Sequence, residues 1–274
     1  MNDEQQLRYS RHLLLDEWSE GAQDRLLASH AIVIGAGGLG APALMYLAAA
    51  GVGRLTVVDP DTVELSNLQR QVAHTTDGIG LPKVESAAQT LHRLNPEVTV
   101  HAVARAVDAD WLSAHLGGAD IVLDCTDRFA TRQLINRHAW AAGVPLVSAS
   151  ALRWDGQIST FDPREPSSPC YACLFPPEPE PEETLCALMG VFAPLVGMMG
   201  VMQAGEAIRL LAGITGPHAD PGTPPGAHRS LVGLLQMVDG RDGSWSRLRV
   251  SKQPGCPVCD PTRAPIPAHT RPPG

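Results

Sequence analysis

The run Ala31-Ile32-Val33-Ile34 is followed without a gap by Gly35-Ala36-Gly37-Gly38-Leu39-Gly40, and nothing else in the chain limits its fold as strongly. Four apolar residues closed by glycines read as a short buried strand. The Ala- and Leu-rich stretch from Ala41 to Ala50 then reads as a helix suited to close packing on a sheet, ending at Gly51. A second strand, Leu55 to Val58, ends on Asp59, 19 residues beyond Gly40. Strand, glycine turn, helix, strand and acid make a nucleotide-binding βαβ unit, in which glycines let the backbone approach phosphate at a helix N-terminus. The expected class is α/β, with a Rossmann-like nucleotide-binding sheet.

The fingerprint does not choose between NAD and ATP, because Asp59 could hold a ribose hydroxyl of either. The residues beyond Asp59 decide between them. Asn67, Arg70 and Lys83 place an amide and two cations just after the second strand. An NAD-dependent oxidoreductase, the alternative reading, binds a pyrophosphate that it never cleaves and has no use for such a cluster. Cleavage of a triphosphate builds charge on departing pyrophosphate, and fixed cations stabilise it. Singly, Arg70 and Lys83 are ordinary solvated charges; beside the glycine loop they point to ATP.

Six cysteines occur as Cys170-x-x-Cys173, Cys256-x-x-Cys259 and the singles Cys125 and Cys186. Two CxxC pairs in a chain without a leader read as one tetrahedral Zn²⁺ site, since thiolates are soft ligands and each pair comes from one tight turn. Redox pairs or disulfides are the rival reading; Pro169 and Pro257 favour rigid knuckles. Four sulfurs leave no open position for water, so the metal's role would be structural. Cys125 reads as a small buried hydrophobe.

A formal net charge of -8 argues against non-specific nucleic-acid binding. The N-terminal MNDEQQLRYSRH lacks an apolar signal region, which makes the cytoplasm the expected location. Residues 185–205 carry no charge and must be weighed as a membrane span. Pro194, Gln203, four glycines and the absence of basic flanks favour instead a helix buried at a subunit interface.

Short helices are expected over 7–15 and 21–28, with Arg8 and Arg11 on one face. Pro82 opens a helix whose apolar face is Val84, Ala87, Ala88, Leu91 and Leu94, and Asn95-Pro96 ends it. Val98–Ala104 reads as a strand and Ala109–Leu116 as a helix. The buried strand from Ile121 runs into Asp124-Cys125-Thr126-Asp127. At a strand's carboxyl end Asp127 is placed to hold Mg²⁺ on the phosphates, while Asp124 is a candidate cap for the helix over 129–142. Strands are expected next over 145–150 and 156–161. Pro176 to Glu183 reads PPEPEPEE, expected to be a mobile, extended loop, with Cys186 just beyond it. After a Gly/Pro-rich loop over 213–229, Leu231–Val238 and Trp245–Val250 form a hairpin that delivers the chain to Cys256. The expected organisation is one domain over 1–260, with its nucleotide part over 1–150, a zinc-tied C-terminal β region within 151–260 and a disordered tail over 261–274.

With the glycine loop, SNLQRQ, DCTD and the two CxxC pairs aligned, the chain resembles the ThiF/MoeB/HesA family over about residues 7 to 260. These are bacterial relatives of the ubiquitin-activating enzymes. The resemblance implies an adenylyltransferase that uses ATP to activate the C-terminal glycine of a ubiquitin-like sulfur carrier ending in Gly-Gly. The carrier would be ThiS in thiamine synthesis or MoaD in molybdopterin synthesis. By the same resemblance Gly35, Gly37, Gly38 and Gly40 hold the nucleotide and Asp59 its ribose. Ser66, Asn67, Leu68, Gln69, Arg70 and Lys83 match phosphate-binding residues, and Asp127 matches a magnesium carboxylate. Arg11 matches an arginine that a homodimer lends to the neighbouring site. Cys186 sits where some members form a covalent link to the carrier and others do not. The family usually has asparagine where this chain has Arg128, which puts contact at that side chain in question. A zinc scaffold that binds a carrier without activating it remains the non-enzyme alternative. Any sulfur donor would be a separate protein.

Overall fold

The computed structural model describes residues 1–178, 190–215, 230–260 and 262, and Cys186, most of the PPEPEPEE stretch, residues 216–229 and nearly all of the tail lie outside them. Strands β1 (His30–Ile34), β2 (Arg54–Val58), β3 (Thr99–Val103), β4 (Ile121–Asp124), β5 (Leu146–Leu152), β6 (Asp155–Phe161), β7 (Leu234–Asp239) and β8 (Ser244–Arg249) form one eight-stranded sheet. Their order is β3-β2-β1-β4-β5-β6-β7-β8. Neighbours from β3 to β5 are parallel, and β6, β7 and β8 are added antiparallel. The C-terminal β region is therefore continuous with the nucleotide-binding sheet. Chain direction across the sheet reverses between β1 and β4, and such a switch point opens a crevice at the strands' carboxyl ends.

Helices cover both faces, as the continuous burial of β1 requires. On one side lie α3 (Ala22–Ala28), α4 (Gly40–Ala50), α5 (Lys83–Leu94) and a long helix over Ala193–Leu211, sharing a core with Ala31, Val33 and Leu55. On the other, Ile32, Ile34 and Val58 meet α6 (Ala109–His115), α7 (Phe129–Ala142) and the short α8 (Tyr171–Leu174). The long helix, α9, starts at Ala193 with Pro194 in its first turn, where a missing N–H costs nothing.

One expectation changes. The helix expected over 7–15 divides into α1 (Asp3–Arg8) and α2 (Ser10–Leu13). Tyr9, between them, is buried and its hydroxyl accepts a 3.0 Å hydrogen bond from Asn95 Nδ2, so burial of one ring sets the break. Of the uncharged stretch expected at a subunit interface, residues 185–189 lie outside the described residues, and one face of the helix from Ala193 packs inside the chain. Leu195, Val196, Met199, Ala204, Ala207 and Leu210 belong to the same core as α4 and the sheet. Its polar residues serve the fold: Gln203 Nε2 donates to the carbonyls of Asp124 (2.8 Å) and Val147 (3.2 Å). Buried Glu206 accepts from Thr160 Oγ1 at 3.0 Å and from the Leu231 N–H at 2.6 Å, and pairs with Arg209. Among the described residues no helix is long and apolar enough to cross a membrane.

Helix α9 also braces the glycine loop. A Cβ added at Gly200 would lie 2.2 Å from the Leu39 carbonyl oxygen, so the two backbones touch there. At Gly197 an added Cβ meets nothing within 4 Å. Gly200→Ala is expected to destabilise by about 1–3 kcal/mol through overpacking. Gly197→Ala should stabilise by up to about 1 kcal/mol through helix propensity. Denaturant unfolding of both variants measures the contrast, and equal effects would contradict this packing.

Candidate functional site

The loop after β1 is built by close backbone contact. Gly35 has φ +100° and donates its N–H to the Val58 carbonyl at 2.8 Å. An added Cβ there would lie 2.6 Å from the Cys125 carbonyl oxygen, and one at Gly40 only 1.8 Å from that of Gly35. Neither position admits a side chain. The N–H groups of Gly37, Gly38, Leu39 and Gly40 make no hydrogen bond to any described residue. They stand at the N-terminus of the 11-residue α4, where free N–H groups and the helix dipole favour an anion.

Asp59 closes the loop from below. Its Oδ2 accepts the Ala36 N–H at 2.7 Å and its Oδ1 the Asp61 N–H at 2.9 Å. Burial pushes its carboxyl up from the ordinary value, and those two donors and the Lys83 charge pull it back down. Each oxygen keeps a lone pair, so the acid can shape the loop and still accept a ribose hydroxyl.

Arg70 packs against the same loop, and the Lys83 charge acts on Asp59. Lys83, in the first turn of α5, has a buried side chain whose Nζ lies 2.8 Å from Asp61 Oδ2. Arg70 donates from Nη1 to the Ser66 carbonyl at 3.1 Å. An added Cβ on Gly38 would lie 3.6 Å from Arg70 Cγ, which puts the arginine stem against the loop. The SNLQRQ segment is a tight helical turn: Asn67 is buried, and its carbonyl accepts the N–H groups of Arg70 (3.1 Å) and Gln71 (3.0 Å). Ser66 and Gln69 are exposed and Leu68 is half-buried. Ser66 Oγ donates to Glu64 Oε2 at 3.2 Å.

At the end of β4, Asp124 does not cap α7, whose N-cap is Arg128 without a side-chain bond. It is fully buried and accepts from Ser148 Oγ (2.9 Å), the Thr126 N–H (3.0 Å) and Thr126 Oγ1 (2.7 Å). That turn leaves Asp127 and Arg128 exposed. Arg132, one turn into α7, is buried and donates to the Thr126 carbonyl. Cys125 is buried, its thiol pushed up by burial, and it donates to Gln203 Oε1 at 3.4 Å. Arg11 is exposed on α2, and no hydrogen bond or ion pair joins it to these groups among the described residues.

Three residues here were not anticipated: Arg132, Gln71 and His74. Gln71 Oε1 is buried without a hydrogen-bond partner among the described residues, and its Nε2 would lie 3.6 Å from a Cβ on Gly37. His74 bonds to the Ala36 carbonyl at 2.8 Å. No local spacing marks Gln71 and His74, because residues 70–74 form irregular turns and their partners come from the glycine loop and α5.

The two CxxC pairs meet as expected. Cys170 and Cys256 Sγ are 3.5 Å apart, Cys173 and Cys259 3.3 Å, Cys170 and Cys173 3.9 Å, and all four sulfurs lie within 4.8 Å of one another. A tetrahedron of sulfurs about 2.3 Å from Zn²⁺ has edges of about 3.8 Å, so the cluster has the right size. Burial, then the neighbouring sulfurs, push the Cys259 thiol up to about 12. Thiolates this crowded need a cation between them.

A family model described as the ThiF family matches residues 9–258. The chain belongs to the ThiF family. It is 43% identical to "Sulfur carrier protein ThiS adenylyltransferase" of Escherichia coli K12, over 96% of this chain and 99% of that protein. It is 41% identical to the same organism's "Molybdopterin-synthase adenylyltransferase", over 94% and 98%. A third relative, "SAMP-activating enzyme E1" of Haloferax volcanii, is 45% identical over 92% and 88%. Among solved structures, E. coli MccB with ATP superposes with a TM-score of 0.76 at 22% identity, covering 94% of this chain and 75% of that one, a likeness of fold.

For this ThiF-family chain, metal analysis is expected to find about one Zn per chain. Chelation under reducing conditions should lower the unfolding midpoint and loosen the join between residue 170 and β8. A zinc-free preparation with an unchanged midpoint would contradict the metal assignment.

Proposed function

We propose that this chain is an ATP-dependent adenylyltransferase acting on the C-terminal glycine of a small ubiquitin-like sulfur carrier of the ThiS or MoaD type. One observation supports it above the others. Four loop N–H groups without a partner among the described residues stand beside the Arg70 stem, and the Lys83 charge acts on Asp59 beneath the same loop, an arrangement suited to a polyphosphate that must leave as pyrophosphate. The named activities of relatives aligned along nearly their full length point the same way.

The step is a displacement at phosphorus. A carrier carboxylate oxygen bonds to the α-phosphorus, the bond to the bridging oxygen of the β-phosphate breaks, and pyrophosphate departs with the electron pair. The Gly37–Gly40 N–H groups, Arg70 and Lys83 hold the charge that develops, and Asp59 orients the ribose. To serve the phosphates, the Lys83 ammonium must share or exchange Asp61, which is exposed and free to yield. Asn67 keeps the Arg70 turn in register. Mg²⁺, when bound at Asp127, would neutralise phosphate charge; the exposed carboxylate at the mouth fits that task. Arg11, exposed and uncommitted to its own crevice, suits a role at the second site of a homodimer.

The test is ATP–pyrophosphate exchange with purified ThiS- and MoaD-type carriers. Exchange should require a Gly-Gly-tailed carrier, and Arg70→Ala or Lys83→Ala should each lower it by about 10²- to 10³-fold. Subunits carrying Arg11→Ala mixed with subunits carrying Lys83→Ala should regain part of the activity. No exchange with any Gly-Gly-tailed carrier would overturn the proposal, and no recovery in verified mixed dimers would remove Arg11 from it.

A further inference from the structure

His74 is a buried titratable group that the proposed reaction does not use, although it touches the nucleotide loop. Its Nε2 lies 2.8 Å from the Ala36 carbonyl oxygen and its Nδ1 lies 3.1 Å from Ser86 Oγ. A carbonyl can only accept, so Nε2 must carry the proton. Burial holds the imidazole below its ordinary pKa, which favours the neutral ring, and Nδ1 then accepts from the Ser86 hydroxyl. The tautomer is fixed by its two neighbours.

Peptide planarity carries this contact into the loop. The Ala36 carbonyl and the Gly37 N–H belong to one trans peptide, and in such a unit the two bonds point to opposite sides. Turning the carbonyl toward His74 turns the Gly37 N–H away from it, and that N–H has no acceptor among the described residues. The preceding peptide is fixed too, because the Ala36 N–H is held by Asp59. Two buried side chains thus grip the peptides on either side of Ala36. At its far end His74 is anchored on Ser86, in the same opening turn of α5 that carries Lys83. One imidazole therefore joins the loop's N–H donors to the helix that supplies a phosphate cation.

We propose that His74 is a positioning residue for nucleotide binding: it sets the orientation of the Gly37 N–H and the register of the glycine loop against Lys83. This rests on the adenylyltransferase reading only for what the phosphates later undergo. Binding of the triphosphate itself is the quantity at issue, so a test without carrier separates the two.

The experiment measures Mg-ATP affinity by calorimetry with no carrier present, then KM for ATP and kcat in carrier-dependent exchange. His74→Ala should weaken ATP binding and raise KM by about tenfold, the size of one lost hydrogen bond, with kcat changed by less than about threefold. His74→Gln, whose amide Nε2 can still donate to the Ala36 carbonyl, should recover most of the affinity. Ser86→Ala should fall between, because it frees only the far end of the ring. Should His74→Ala not fold, His74→Asn replaces it, with an amide that reaches Ser86 and falls short of Ala36. Unchanged ATP affinity in the alanine or asparagine variant, or a glutamine variant no better than alanine at equal unfolding midpoint, would overturn the proposal. Absence of exchange by wild type that still binds ATP would count against the proposed reaction alone.

Discussion

A single buried carboxylate holds the loop on which everything else converges. Asp59 accepts the Ala36 N–H at 2.7 Å, joining the end of β2 to the loop that leaves β1. Hydrogen bonds to a charged, buried acceptor are worth about 1.5–3 kcal/mol each, and losing the acceptor would strand the donor. The parallel pairing of β1 with β2 carries the acid to the right level, since Ile34 is in register with Val58. Helix α9 presses on the loop from the opposite side, Gly200 against the Leu39 carbonyl. Gripped in this way, the loop leaves its unused N–H groups in one place without needing a ligand to organise them, the condition for electrostatic preorganisation.

The same economy governs the buried polar groups around it. Asp124 accepts hydrogen bonds from Thr126 and Ser148, the charge of buried Arg132 acts on it, and Asp127 beyond that turn is exposed. Gln203 and Glu206 of α9 hydrogen-bond the ends of β4, β5 and β6. Each would be costly unsatisfied, and each takes at least one backbone or hydroxyl partner from a different element. Polar residues in the core therefore fix the register between helix and sheet, and so the position of the crevice.

Much of this was legible in the chain. Local periodicity sufficed for the βαβ unit, because a four-residue apolar run, a glycine turn and Asp59 are physically committed within about thirty residues. The cysteine site was legible because two CxxC turns need each other to complete a tetrahedron, although 86 residues separate Cys170 from Cys256. What escaped depends on tertiary neighbours. The break at Tyr9 comes from burial against Asn95, and the cover over α9 comes from a sheet face that sequence alone cannot place. Asp124 looked like a cap, since a short acid before a helix usually is one; Ser148, in register with it on the neighbouring strand β5, claimed it instead. His74 was missed for the same reason, as neither Ala36 nor Ser86 is its neighbour in sequence.

The central claim is that the glycine loop and the two cations form one polyphosphate site, and a crystal structure with Mg²⁺ and a non-hydrolysable ATP analogue tests it most directly. The account predicts phosphate oxygens within hydrogen-bond distance of the Gly37–Gly40 N–H groups, with the Arg70 guanidinium and Lys83 ammonium turned onto the β- and γ-phosphates. A triphosphate directed away from both cations, or one that leaves the loop N–H groups in contact only with water, would contradict it.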